Sequence, residues 1–458
     1  ETPLVTHRFF YDTVNQITDI FDSENNKTQY KYSTNQQVET IDYFIGSEKL
    51  HHSEAFSWGG PNLLSRTFCD QNRKPLFSRS FAYDGFGNIK EEKLTGNLSG
   101  QVENETVIKK FTYNNDKYLS RLEEPNGRVT LFTYLPGTNL VSSKLICDGD
   151  KIRIRHFFEY DKNNLLFQEI TDDGTSEDPD DLSGVSERHL TKITPTKEFP
   201  FGLPEKTEEF CYDSASHTYI LLRTTSASYS PTGNKLKEEH WGSDGFLAFT
   251  LAWSYDEHGN LLSEKDALGN LVSTRYDAND NKVQETRPGL TKNFTYDCAN
   301  RLIKEEEVWQ DGTVLTTSHR YDGNERVATI DIYGNETRFV YASGHLTEIH
   351  RLDGIEKWTY DALGNKTTHT DAMGAVTHMG YTARGQLCHI TYPDGSIEQK
   401  EYSLKGHLIK EVAKNGLEIL YTRDPFGRIT STSYYDAGQL LKSTKATYNT
   451  FHLLSEID

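Results

Sequence analysis

Apolar and polar residues alternate over short runs, and each run stops at a turn signal. Between Tyr255 and Tyr448 the runs are five to ten residues long, such as Leu271-Val272-Ser273-Thr274-Arg275-Tyr276 and Thr337-Arg338-Phe339-Val340-Tyr341. Their β-branched and aromatic residues predict half-buried strands. The pattern recurs about every 20 residues. Tyr276, Tyr296, Tyr321, Tyr341, Tyr360, Tyr381, Tyr402 and Tyr421 mark the period, with steps of 19 to 25 residues. A fixed period of this length signals a stacked repeat architecture. Each period predicts two strands and two turns. Tyr ends one strand and the following Asp opens the next turn, which stacks the tyrosines along one edge of a sheet.

The turns are legible as chemistry. In Tyr255-Asp256-Glu257-His258-Gly259-Asn260 the Asp carboxylate accepts a backbone N–H two residues on. Gly supplies a positive φ without a Cβ penalty, and Asn tolerates that region as well. Such a turn joins antiparallel strands. A second turn follows at Asp266-Ala267-Leu268-Gly269-Asn270, and Asp331-Ile332-Tyr333-Gly334-Asn335 and Asp361-Ala362-Leu363-Gly364-Asn365 are near-perfect copies. Tyr381-Thr382-Ala383-Arg384-Gly385 and Tyr402-Ser403-Leu404-Lys405-Gly406 keep Tyr and Gly but lose the Asp. Before Tyr229 the beat loosens. Tyr83-Asp84-Gly85-Phe86-Gly87-Asn88 is a good copy, Tyr11-Asp12, Tyr160-Asp161 and Tyr212-Asp213 are partial ones, and two gaps exceed twice the period. The expected organisation is therefore an irregular part, residues 1–228, continuous with a regular part, residues 229–458. Residues 172–210 are expected as an excursion, acidic at first and then proline-marked.

Composition changes this picture in two ways. Only 35% of the residues are apolar, while Tyr and Phe number 26 and 23. That is lean for a compact core and suits strands that bury one face under aromatic rings. The formal charge of -19 disfavours nucleic acid or an anionic membrane as partner. It suits solubility, and it also suits a basic guest. The five cysteines, Cys69, Cys147, Cys211, Cys298 and Cys388, form no disulfide framework or zinc pattern. No apolar run reaches the roughly 20 residues that span a bilayer. Repeats run close to both ends of a chain that begins at Glu1, so a piece of a longer polypeptide is expected.

Repeats of two strands along the whole chain give about 40 strands, or roughly 190 Å of sheet at ~4.8 Å spacing. Open sheets rarely exceed about 10 strands without curling, so a sheet of this length must coil. The fold class expected is all-β: a long antiparallel sheet, with a β-propeller as the runner-up. The phased Y-D-x-x-G-N turns, each followed after about ten residues by D-x-x-G, resemble the Rhs/YD-repeat family. This covers bacterial polymorphic-toxin shells, the B and C components of insecticidal toxin complexes, and teneurins. The resemblance is strong over residues 229–450 and weaker over 9–228. It implies a β-sheet spiralling into a hollow shell that, in bacterial members, encloses a C-terminal toxin. The family's shell-ending P-x-x-x-x-D-P-x-G-L segment has only a partial counterpart in Asp424-Pro425-Phe426-Gly427-Arg428, where Arg428 stands in place of Leu. It reads as one more turn, which leaves plug, cleavage site and toxin outside this chain.

Candidate chemistry is sparse. Asp172-Asp173-Gly174-Thr175-Ser176-Glu177-Asp178-Pro179-Asp180-Asp181 is dense in carboxylates but lacks the spacing of a calcium loop. It reads as a solvated, flexible insertion. His51-His52 lacks further ligands at metal spacing. Cys388 and His389 are strand neighbours facing opposite sides, a poor nucleophile–base pair. Glu305-Glu306-Glu307 reads as a charged strand edge. Matches to N-x-S/T, such as Asn97-Leu98-Ser99 and Asn365-Lys366-Thr367, are at chance level. Rows of tyrosines with Trp241, Trp253, Trp309 and Trp358 are candidates for stacking on sugars, with a cross-strand aromatic ladder as the structural reading. No catalytic, cofactor or metal residues are therefore assigned, and the binding residues are unknown. The function expected is a non-enzymatic shell for a C-terminal toxin or effector. The alternative is a surface adhesion or carbohydrate-binding module. Partners would be the chain's own toxin domain or cargo, and secretion machinery or cell-surface glycans. The full-length protein is expected to be secreted or at the cell surface.

Overall fold

The computed structural model describes residues 7–448 apart from 23–24, 101, 103, 126, 323–324, 343, 362 and 425–426, together with the backbone of Leu453–Ile457. Residues Ala362, Pro425 and Phe426 of the turns quoted above lie outside the described residues. The described residues form 38 strands of one sheet and no helix. Consecutive strands pair antiparallel, as in Leu247–Tyr255 with Leu261–Lys265 and Leu290–Tyr296 with Leu302–Trp309. A propeller would divide its strands into four-stranded blades. Here the pairing passes from each strand to the next, so the long antiparallel sheet is the fold.

The repeat builds this sheet through one local device. Asp256 N–H donates to the Asn260 carbonyl (3.0 Å), and Gly259 N–H donates to the Asp256 carbonyl (3.2 Å). The Asp256 carboxylate accepts the His258 and Asn260 amides at 3.0 and 2.8 Å, and its second oxygen accepts the Asn260 side chain at 3.0 Å. Gly259 sits at φ +90°, where a Cβ is strained. Immediately before each such turn the ladder slips by one residue, at Ser254/Tyr255, Arg275/Tyr276, Thr295/Tyr296, Thr359/Tyr360 and Glu401/Tyr402. A bulge bends its strand and increases the local twist. Every period therefore adds an increment of curvature in the same place.

The chain divides into two compact units. One comprises Glu1–Val129, Tyr321–Ala328 and Glu336–Asp458; the other comprises Thr130–Arg320 and Thr329–Asn335. The boundaries at Val129 and Arg320 fall inside the strands Arg128–Tyr134 and Val314–Asp322. Full burial is concentrated early. In the second unit Leu145, Ile146, Ile152, Phe157, Ile170 and Leu190 form the apolar core. From residue 229 onward, the described residues that are buried are Thr274, Ala328, Thr382 and Thr444. The regular repeats are thus held by ladder and turn hydrogen bonds more than by a core, which is how so polar a chain stays folded.

The stretch 172–210 differs from a solvated excursion. Arg188–Pro195 is a strand paired on both sides, with Leu166–Asp172 and with Pro204–Asp213. The connection before it folds back over Arg155, as described below.

Candidate functional site

Successive turns along one edge of the sheet are linked by side chains. Asp280 accepts the Asn260 amide at 2.7 Å and faces His258 Nδ1 at 2.9 Å. Asn300 accepts the Asn281 amide at 3.0 Å. On the other edge Lys414 pairs with Asp394 at 2.8 Å. Copies that lack the Asp keep the turn with a hydroxyl. Thr382 Oγ1 accepts the Arg384 and Gln386 amides, and Ser403 Oγ accepts the His407 amide, each at 3.2 Å. In two others an arginine replaces the Asn and pairs with the carboxylate: Arg301 with Asp297 (2.6 Å) and Arg428 with Asp424 (2.7 Å).

The amide of Asn88, Asn270, Asn281 or Asn335 beside Asp84, Asp266, Asp277 or Asp331 holds each carboxyl below its ordinary value of 3.8. A depressed carboxyl stabilises the fold above its unfolded pKa, and the contribution is lost as pH falls through the folded value. The melting temperature should therefore hold steady down to about pH 4 and fall below it. A melting temperature unchanged down to pH 2.5 would contradict this role.

The repeat tyrosines are tethers. Tyr83, Tyr113, Tyr160, Tyr229, Tyr296, Tyr360, Tyr402 and Tyr448 each donate their hydroxyl to a backbone carbonyl near the start of an earlier strand, at 2.5 to 3.0 Å. Burial raises the hydroxyls of Tyr113, Tyr160, Tyr229, Tyr296, Tyr360 and Tyr402 above the usual 10.0. This differs from an aromatic ladder: these eight tyrosines are tied through oxygen to backbone, whereas the Tyr381 hydroxyl meets the Met379 sulfur. Tyr296→Phe should cost about 1 kcal/mol, read as a lower urea midpoint, because it leaves the Lys282 carbonyl without its donor. No change in the midpoint would show the tether to be idle.

In the first unit, chain segments nearly 300 residues apart are joined. The loop after Ile89–Gly96 lays Asn97 to Gly100 over the turns at Ala383 and Tyr402. Asn97 carbonyl accepts the Ala383 amide at 2.6 Å, and Ser99 carbonyl accepts the Tyr402 amide at 3.1 Å. Glu105 holds the loop by accepting the Leu98 and Ser99 amides at 2.9 and 2.6 Å. Leu98 is completely buried. Gly100, at φ +89°, packs so closely that a Cβ would lie 2.7 Å from Cys388 Cβ. This seam fastens early strands to late ones.

The acidic run closes over an arginine. Arg155 and Asp172 are both fully buried and pair at 2.5 and 3.0 Å, while Arg188 meets the same carboxylate at 2.8 Å. Arg155 also donates to the carbonyls of Ser176, Asp178 and Asp181, and Arg188 to that of Pro179, at 2.8 to 3.1 Å. Of the carboxylates that suggested a cation loop, Asp172 is turned onto the guanidinium groups, and others of the run contribute backbone carbonyls or accept bonds from within the loop. The described residues contain no cluster of His, Cys, Asp and Glu suited to a metal.

The remaining candidates are separated or occupied. His51 and His52 touch through Nδ1 at 2.8 Å, and His52 stacks on Tyr43 and Phe68 at 4.1 and 5.0 Å. Burial, then the neighbouring His51 charge, pushes His52 down to about 4. With His345 these histidines line a 580 Å³ cavity in the first unit. Burial raises the Cys388 thiol, while His389 engages Thr391 at 2.9 Å. Lys292 lies between Glu305 and Glu307 at 3.0 and 2.6 Å, and Lys304 takes Glu306 at 2.6 Å. Trp253 reaches Glu264 and Trp358 stacks on His369, so these indoles have partners within the chain. Sequence reasoning missed the seam and the buried arginine. The glycines at 96, 100 and 174, spaced unlike the repeat, were the available signal.

A family model described as RHS Repeat matches residues 255–292 and 360–397. The chain is 25% identical over 359 residues to the tRNA3(Ser)-specific nuclease WapA of Bacillus spizizenii, covering 76% of this chain and 14% of that protein. It is 28% identical over 169 residues to the probable deoxyribonuclease RhsA of Dickeya dadantii, covering 36% of this chain and 10% of that protein. The chain therefore spans a small part of each relative. Among solved structures, a Photorhabdus luminescens Tc holotoxin pore aligns over 97% of this chain and 29% of its own, at 13% identity and a TM-score of 0.37. No helix among the described residues is long and apolar enough to cross a membrane.

Proposed function

Since this chain belongs to the Rhs/YD-repeat family, we propose that it is a stretch of the wall of an Rhs-type shell that encloses a C-terminal toxin or effector domain. The observation that carries this reading is the repeated bulge and turn. Each period places a bulge at the same point of the antiparallel ladder, and sheets of more than about ten strands curl. The role is structural: ladder, turns and tyrosine tethers make the wall, and the seam at Asn97–Gly100 fastens it. Residues 1–228 are the irregular part of that wall, with insertions, and residues 229–458 the regular part. The net charge of -19 gives the wall an electrostatic bias toward a basic guest. On this reading any toxin activity of the full-length protein lies outside this chain, and the whole protein acts in secreted or surface-associated form.

The test is protease protection and electron microscopy on the protein expressed from its whole gene. A shell leaves a guest polypeptide resistant to protease until the wall is denatured, with density enclosed by the sheet. A solid particle with a freely cleaved C-terminal portion would overturn the proposal, and specific binding on a glycan array in that case would favour the adhesion module instead.

A further inference from the structure

Two consecutive repeats depart from the pattern in the same way. Most turns after a repeat Tyr open with Asp, and a few, such as those at Ser33, Asn114 and Ser230, do not; these two open with Thr382 and Ser403 and, unlike those, place Arg384 and Lys405 before Gly. The hydroxyls preserve the turn, so the exchange is not needed for folding. Its effect is electrical. Two negative charges are lost and two positive ones gained on neighbouring turns, in a chain that is otherwise strongly acidic.

Both turns face the same space. A cavity of 730 Å³ in the first unit is bounded on one side by these turns and on the other by early strands that contribute Arg79, Lys109 and Arg128. Two carboxylates also line it, and each already has a partner: Glu92 pairs with Arg79 at 3.3 Å and Glu124 with Arg128 at 3.5 Å. Lys109, Arg384 and Lys405 have no such pairing among the described residues. Arg384 donates one amino group to the Leu404 carbonyl at 2.6 Å, whereas its Nη1 is buried without a hydrogen-bond partner. A buried guanidinium nitrogen left unpaired is costly, and an oxyanion is its natural complement. The local field agrees. His407, also on the wall, is held below its ordinary 6.5 by burial and then by the positive charges of Arg423 and Lys405. The volume is within the range of small-molecule sites.

We infer that this cavity is a binding site for a small polyanion carrying carboxylate or phosphate groups. Arg384 and Lys405 hold it from the turns, and Lys109 holds it from the opposite strand. Because the two walls come from early and late segments, an anion bound there ties the same segments that the seam joins.

Calorimetric titration of the 458-residue chain with citrate and, separately, with inorganic phosphate tests this, at ionic strength held constant with sodium chloride. Saturable binding of either, at one per chain, is expected; the arm that saturates identifies the recognised group. Lys109 and Lys405 are exposed, so the double variant K109Q/K405Q should fold normally and bind about tenfold more weakly or worse. Arg384→Gln should bind similarly poorly. Lys151→Gln, an exposed lysine elsewhere, should bind as the unaltered chain does. The assignment fails if neither anion binds beyond chloride, or if K151Q weakens binding as much as K109Q/K405Q.

Discussion

Replacing Arg155 with alanine should destabilise the protein by about 3–5 kcal/mol, the cost of breaking a buried ion pair from one side. The size follows from what is left behind. Asp172 is fully buried and would keep only Arg188 and the Gly174 amide (3.0 Å) as partners. The carbonyls of Ser176, Asp178 and Asp181 would lose their donor together. Gly174→Ala should act in the same direction, because a Cβ there would lie 2.3 Å from the Arg155 guanidinium carbon. Urea unfolding gives the magnitude, and limited proteolysis gives the location: cleavage should appear first within residues 173–187. A loss below about 1 kcal/mol, typical of an exposed pair, would show that the cluster is solvated after all.

Truncating Leu98 to alanine should cost about 2–5 kcal/mol, as for a fully buried leucine that leaves a cavity. The effect should be local in a way that an ordinary core mutation is not. Leu98 sits between the two carbonyls that receive the Ala383 and Tyr402 amides. Hydrogen exchange at those two amides should therefore accelerate, while the Gly259 and Gly269 amides, in turns of the other unit, keep their protection. Gly100→Val should reproduce this, because its φ of +89° and its contact with Cys388 both exclude a side chain. Uniform acceleration at all these sites would mean global destabilisation and no distinct seam.

The strands and turns were legible in the sequence because their determinants lie within five residues. Asp256 finds its amides at His258 and Asn260, and the bulge sits at the Tyr immediately before it. A chain that repeats such a unit can be read as one sheet without knowing where any strand ends up. The Asp-less turns were legible too, as departures, although their hydroxyl substitutes and their charge reversal acquire meaning only from the cavity they face.

The acidic run was misleading for a specific reason. Ten residues rich in Asp look solvated when taken alone, and their partner, Arg155, lies 17 residues before Asp172 on a strand whose other residues read as ordinary. The tyrosines were misleading in a milder way: their spacing was visible, but a hydroxyl bond to the carbonyl of an earlier strand depends on the twist between the strands.

The sequence by itself thus determined the strand, the turn, the tyrosine that ends a strand and their period, all set by backbone chemistry between close neighbours; the bulge beside each turn was read only from the ladder. Only the tertiary structure decided that Asn97–Gly100 meets Ala383 and Tyr402, that Arg155 is roofed by residues 173–187, and that Arg384 and Lys405 share a cavity with Lys109. The first and third meetings depend on small rotations summed over many successive strands, which no local pattern records; the second joins neighbouring strands and depends on the register that sets Arg155 opposite Asp172.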